Sequence, residues 1–247
     1  MLYRVEGIVI RSMDYGESNK IVTLLTKSQG KVGVLIRGAK KMRSRHSSLA
    51  QLFTYGEFSY FRTKGLGTLN HGEIIQSHHD LREDLDLSAH AAYAVELTDR
   101  TLQEDEPGIY YFEQLNAYLE ALSDKKDTAI VTQLYEMRVL DFAGYAPQLE
   151  YCVQCGQEAA VYKLSVQFGG ALCPRCQHND RFAVTLSEGA QKLLKLYRLM
   201  DLRRLGNIQV REETKQELKK AMRALLDAQL GLQLKSRAFL EQLDKLN

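Results

Sequence analysis

Apolar and polar positions alternate in short runs through residues 1–80, and the spacing lengthens to a helical period from residue 81 onward. Runs at 5–11, 20–26, 31–37, 52–61 and 67–75 are rich in β-branched and aromatic residues. Gly, Asp, Asn and Ser separate them, so each reads as a strand. Residues 28–30 and 63–67 read as short hairpin connections, and the third-to-fourth connection, 38–51, is longer. Five strands with a long third connection predict an OB-fold barrel. An SH3-like barrel is the rival with the same strand count.

Residues 81–102, 109–122 and 129–142 carry apolar side chains at helical spacing. Gly144 followed by Pro147 predicts a helix stop, because Gly tolerates a left-handed cap and Pro cannot extend a helix. Thr185-Leu-Ser-Glu188 reads as a capping box opening a helix to about Met200, and another helical stretch starts near Arg211. Gly231 is a candidate break within that last stretch. The fold class expected is α+β multidomain: an N-terminal OB-fold β-barrel at 1–80, an α-helical bundle from 81–150 and 184–247, and a four-cysteine zinc module inserted at 151–183.

Charge follows the same divisions. The net charge of +2 is the balance of +6 over residues 1–80, −10 over 81–150 and +6 over 151–247. Such asymmetry points to separate modules whose basic parts face anions. No uninterrupted apolar run exceeds five residues, whereas a membrane helix needs about 20. Met1-Leu-Tyr-Arg-Val-Glu has no basic region followed by an apolar stretch, so no secretory signal is read and a cytoplasmic location is expected.

All four cysteines lie in one window, as Cys152-Val-Gln-Cys155 and Cys173-Pro-Arg-Cys176. Paired knuckles at this spacing bring four thiolates to one tetrahedral ion, and an all-Cys set leaves no open position for water. One structural Zn²⁺ is the expectation; an iron–sulfur cluster, a redox dithiol and free thiols are the rivals. Residues 161–164 and 169–172 suggest a hairpin between the knuckles, and His178 reads as a surface residue.

A second cluster, Arg37, Lys40, Lys41, Arg43 and Arg45, falls in the longest barrel connection. Neutralised phosphates release counterions, so such clusters favour nucleic-acid backbones. Lys20, Lys31, Arg62 and Lys64 extend the patch, and a solvated loop is the plain alternative. Tyr3, Tyr15, Phe53, Tyr55, Phe58, Tyr60 and Phe61 are aromatics that either fill the barrel or stack on bases. A third basic set, which opens with Lys192, Lys195, Arg198, Arg203 and Arg204 and continues through Lys215, Lys219, Lys220 and Arg223, lies in the C-terminal helical region, where it suits DNA, an acidic peptide tail or solvent. The chain lacks GxxxxGK[ST], HExxH and GxSxG, and all its cysteines are committed to the metal. No catalytic residues are assigned.

Several segments together resemble one family. They are Glu6-Gly-Ile-Val-Ile, residues 15–26 and Arg37-Gly-Ala-Lys-Lys41, then Gly144-Tyr-Ala-Pro-Gln-Leu149 leading into the first knuckle, the second knuckle, and Leu234-Lys-Ser-Arg-Ala-Phe-Leu240. In that order they resemble the bacterial RecO family, in its zinc-bearing branch, over essentially the whole chain. The resemblance implies a non-enzymatic mediator of DNA repair and recombination that binds single- and double-stranded DNA and anneals complementary strands. It also implies action with RecR, contact with the C-terminal tail of single-stranded-DNA-binding protein (SSB), indirect help to RecA loading, and association with the nucleoid during repair. The acidic SSB tail is expected on Lys192, Lys195, Arg198, Arg203 and Arg204 of the third basic set. An RNA-binding or ribosome-associated module is the alternative, since OB barrels and zinc knuckles also serve RNA.

Overall fold

The computed structural model describes the chain apart from residues 42, 43, 45, 104, 105 and 244–247. Five strands form a closed barrel: β1 (Leu2–Tyr15), β2 (Asn19–Thr26), β3 (Gly30–Ile36), β4 (Tyr55–Phe61) and β5 (Gly67–Gln76). Their order is β1-β2-β3-β5-β4. Neighbours are antiparallel except β3 and β5, which close the barrel in parallel through Val34 opposite Gly67 and Leu35 opposite Thr68. This is the OB-like arrangement. Val5, Val9, Val22, Leu24, Val32, Val34, Ile36, Phe58 and Tyr60 fill it, and the 3-10 turn Ser48–Ala50 adds Leu49 and Ala50 to that core. Gly72 makes room for this turn, since a Cβ there would stand 2.8 Å from a Leu49 methyl.

β1 extends further than the predicted run of 5–11. It pairs with β4 through residues 2–8 and with β2 through residues 7–15, and its register slips between Val9 and Arg11. Ile10 is the extra residue of this bulge, and it inverts the alternation. Val5 and Val9 point inward before it; Ser12 opposes inward Val22 after it. Residues 12–15 therefore break the pattern that a simple strand reading follows.

The helical region begins with two helices where the apolar spacing predicts one. α1 (His79–Glu83) ends at Asp84, whose side chain accepts hydrogen bonds from the amides of Asp86 and Leu87 and opens α2 (Leu85–Thr101). α3 (Ile109–Ser123) follows. Buried Asp99 fastens α2 to the barrel: Arg11 Nε lies 2.5 Å from its carboxylate, and Lys31 Nζ donates to its carbonyl at 2.8 Å.

α4 (Thr128–Phe142) ends in a Schellman motif. Gly144, at φ +80°, donates to Asp141 O, and Tyr145 N–H donates to Leu140 O. Three short strands, β6 (Lys163–Ser165), β7 (Gly170–Leu172) and β8 (Val184–Thr185), then form a sheet in the order β7-β6-β8. α5 (Glu188–Leu199) is capped by Ser187, not by the Thr185 that the capping-box pattern suggests; Thr185 belongs to β8. Ser187 Oγ accepts from Ala190 N–H, and the carboxylate of Glu217 accepts from both Ser187 N–H and Oγ–H. Glu217 on α6 (Glu212–Leu230) thus takes the part the pattern gave to Glu188. Gly231, at φ +59°, ends α6, and α7 (Lys235–Leu243) follows. Glu96 of α2 accepts from the amides of Lys235 and Ser236 at the start of α7.

The compact units do not follow the expected boundaries at 80, 150 and 183. Residues 1–125 form one unit with the segment from Leu234 onward, and Lys126–Gln233 form the other. α1, α2, α3 and α7 belong with the barrel; α4, α5, α6 and the cysteine module belong together.

We expect Asp99→Ala to lower stability by about 1–3 kcal/mol, because it leaves the nearly buried Lys31 ammonium without its carboxylate. Denaturant unfolding measures this, and an unchanged midpoint would contradict the anchoring role.

Candidate metal centre and nucleic-acid interface

The cysteine centre rests on two knuckles that the β6–β7 hairpin brings together. Gly170 lets this hairpin approach the chain before the first knuckle: a Cβ there would stand 2.3 Å from Gln148 O. Ala171 N–H donates to Gln148 O, and Val153 N–H donates to Ala171 O. The first knuckle closes through Gly156 N–H to Cys152 O, and the second through Cys176 N–H to Cys173 O, both at 2.9 Å. Gly156 takes φ +69°, a left-handed conformation that glycine adopts without a Cβ clash.

The ligand atoms of Cys152, Cys155, Cys173 and Cys176 all lie within 4.8 Å of one another, and Cys155 Sγ is 3.8 Å from Cys173 Sγ. Four sulfurs about 2.3 Å from a central ion stand roughly 3.8 Å apart, so the donor set fits a tetrahedral metal. Burial raises the Cys152 thiol pKa, yet N–H groups of Cys173, Cys155 and Gln154 outweigh it and bring the thiol down to about 6. Burial and the neighbouring sulfurs push Cys176 up to about 12. Cys152 thus favours the thiolate, and Cys176 holds a proton that a divalent ion would displace. The surrounding core is small: Cys152, Leu172 and Cys173, with Val153, Cys176 and Ala183 packed against them. His178 is exposed and outside the cluster.

The barrel cations divide by their partners. Residues 38–41 are tied to the β1–β2 turn: Gly38 N–H donates to Asn19 Oδ1 and Lys40 N–H to Ser18 O. Lys20 and Lys40 converge on Asp14, at 3.0 and 2.9 Å, and their hydrogen bonds hold its carboxyl below the usual range. Arg37 and Lys41 are exposed and make no ion pair among the described residues. Arg43 and Arg45 lie outside the described residues. Arg62 exchanges backbone hydrogen bonds with Met1 at the end of β4, and exposed Lys64 sits in the next turn. That turn ends at Leu66, which lies against Gly33 of β3.

Most of the aromatics belong to the protein itself. Phe53, Phe58 and Tyr60 are buried, Tyr3 and Tyr55 are half-buried, and Tyr15 and Phe61 are exposed. A feature the strand pattern concealed lies beside Tyr15. Met13 pairs with Ile21, Ile21 with Leu35, and Leu35 with Thr68, giving one row across the outer face of four strands. Met13 is 60% exposed and Tyr15 53%, next to the rim that carries Arg37 and Lys41. The Ile10 bulge turns Met13 and Tyr15 to this face; the sequence signal was the break in alternation after the run Gly7-Ile-Val-Ile10.

The third basic set is largely engaged within its own unit. Lys192 pairs with Glu188 at 2.5 Å, Arg198 with Asp141 at 3.0 Å and Arg203 with Asp201 at 2.5 Å. Lys195 donates to Ala159 O and lies over the Tyr162 ring. Arg204 is exposed, with no ion pair among the described residues. Arg138 was not singled out by sequence. Its buried guanidinium donates to Tyr197 O and Arg198 O at the end of α5, a structural role.

Two family descriptions match the chain: Recombination protein O N terminal over residues 1–78 and Recombination protein O C terminal over residues 82–238. The DNA repair protein RecO of Bacillus subtilis (strain 168) is 44% identical over 246 residues, covering 100% of this chain and 96% of the relative. That of Bacillus pumilus (strain SAFR-032) is 43% identical with the same coverage. That of Bacillus cytotoxicus is 42% identical over 245 residues, covering 99% of each.

The geometry of the four sulfurs makes a direct test available. Titrated with Co²⁺ under reducing conditions, the chain should take up one ion with the absorption of a tetrahedral thiolate site, and uptake should weaken as pH falls because protons compete for sulfur. Unchanged uptake by a Cys152→Ser, Cys173→Ser double variant would contradict the assignment.

Proposed function

The chain belongs to the RecO family of DNA repair proteins, and on that premise we propose that its barrel rim holds DNA by the phosphates and brings complementary strands together. The observation that carries this reading is the position of Arg37 and Lys41. Both are exposed, free of internal ion pairs among the described residues, and fixed by the 38–41 segment to the rim beside the open row of Met13, Ile21 and Leu35. Phosphate contacts position a strand without reading its sequence, and they leave base edges available. Apolar and aromatic side chains beside a basic rim give unpaired bases a surface to stack on. The same rim serves single strands and duplexes, since both present phosphates.

Annealing on this account needs no bond-making chemistry. Two polyanions repel, and a basic surface lowers that repulsion while counterions leave. The protein therefore acts as a mediator with no catalytic residue. Cys152, Cys155, Cys173 and Cys176 would hold one Zn²⁺, which supplies folding energy to a module whose own core is small. In the same reading the protein works in the cytoplasm at the nucleoid, acts with RecR, and engages the SSB tail so that RecA can load on coated single strands. The tail is read onto the set of Lys192, Lys195, Arg198, Arg203 and Arg204, where Arg204 is the cation left without an internal ion pair among the described residues.

Two substitutions test the rim. The double variant Arg37→Gln, Lys41→Gln should weaken single-strand binding across sequences and reduce the slope of log affinity against log salt by about 1.4, from two lost phosphate contacts. An unchanged slope would overturn the assignment. Asp14→Asn should act in the opposite direction. It removes the carboxylate that holds Lys20 and Lys40, and binding at low salt should tighten about two- to fivefold. Weaker binding by a folded Asp14→Asn protein would show that these lysines are not phosphate ligands.

A further inference from the structure

Residues 206–210, Gly-Asn-Ile-Gln-Val, join the 3-10 turn Leu202–Arg204 to α6. They are irregular by hydrogen bonding but strand-like by exposure: Ile208 and Val210 are half-buried, while Asn207, Gln209 and Arg211 are exposed. That alternation is the period of an extended strand. None of the N–H or C=O groups of 206–210 is bonded to another group among the described residues. The segment is one wall of a groove of about 980 Å³. The opposite wall is α5, with Leu193 and Leu196, and Thr214 at the start of α6 also lines it. Leu196 is exposed there.

We propose that this groove binds an extended peptide of a partner protein, which adds to 206–210 as a second strand. Two independent features specify that occupant. An unpaired main chain with strand-like alternation, flanked by Leu205 and Arg211 in extended conformation, is satisfied by an extended main chain whose donors and acceptors repeat at the same interval. The apolar lining, Leu193, Leu196, Ile208 and Val210, accepts a side chain at every second position of that peptide. The charged lining does not favour a strongly acidic peptide. Lys192, the one member of the tail-binding set that lines this groove, is paired with Glu188, Glu217 is held by Ser187, and Glu213 faces the same space as Arg211, so an acidic tail would rest on the other cations of that set. The peptide this site takes is apolar at alternate positions and close to neutral, and its main chain contributes the hydrogen bonds. This binding is separate from the barrel rim and does not depend on the phosphate reading.

The test uses the intact, metal-loaded chain panned against a displayed library of random decapeptides. Enriched peptides should carry apolar residues at every second position. Their affinity should fall at least tenfold when Leu196 is changed to Asp, and also when alternate peptide amides are N-methylated. Bound peptide should slow hydrogen exchange at the amides of residues 207–210. A second variant, Leu199→Asp, alters an exposed α5 residue outside the groove lining and should bind normally, which separates loss of the groove from loss of folding. Enrichment of no such peptide, or binding that survives both Leu196→Asp and N-methylation, would overturn the proposal. So would self-association of the chain that Leu196→Asp abolishes, since the occupant would then be a second copy.

Discussion

One extra residue in β1 sets the geometry on which the proposed DNA-binding rim depends. Ile10 bulges between Val9 and Arg11, so a strand of fourteen residues pairs with β4 in its first half and β2 in its second. A bulge bends the strand, as barrel closure requires, and it reverses which side chains face inward. Val5 and Val9 enter the core; Arg11, Met13 and Tyr15 leave it. Arg11 then reaches Asp99 and helps hold α2 against the outside of the barrel. Nearer the rim, Met13 and Tyr15 remain exposed. The same slip thus gives the barrel a helix-covered end and an open end.

Electrostatics sorts the basic residues by their partners. A cation that already has a carboxylate in hydrogen-bond contact gains less from a phosphate than one that meets it free. Lys31 and Arg11 are spent on Asp99, and Arg138 on the carbonyls that end α5. Lys20 and Lys40 share Asp14, an exposed acid. Arg37 and Lys41 stand free among the described residues. Positive charge counted along the sequence is therefore larger than the charge the fold leaves available, and the C-terminal set shows this most clearly: Lys192, Arg198 and Arg203 each have an acid within 3.0 Å.

Much of the architecture was legible because local chemistry and tertiary structure agree. Alternation located five strands, the two CxxC pairs located the cysteine centre, and Gly144 and Gly231 stop helices by adopting the left-handed conformation. The errors share a cause, which is dependence on residues remote in sequence. Thr185 and Glu188 form a capping pattern, but β8 takes Thr185 and Glu217 comes from the next helix to serve Ser187. Residues 81–102 carry one apolar stripe, yet Asp84 captures two amides and divides it. Residues 12–15 hide as a loop because the bulge inverts their pattern. The grouping of helices with the barrel follows from long-range anchors, Asp99 joining α2 to the barrel and Glu96 joining α7 to α2, which no local spacing announces.

The proposed function requires a surface that holds two DNA strands at once without chemistry. Annealing of two complementary oligonucleotides, each coated with SSB and one labelled for quenching, measures this most directly. The folded chain, prepared with Zn²⁺ in the buffer, should accelerate annealing with no nucleotide added, strongly at low salt and less at moderate salt. No acceleration at low salt would contradict the account and leave a protein that binds strands without pairing them.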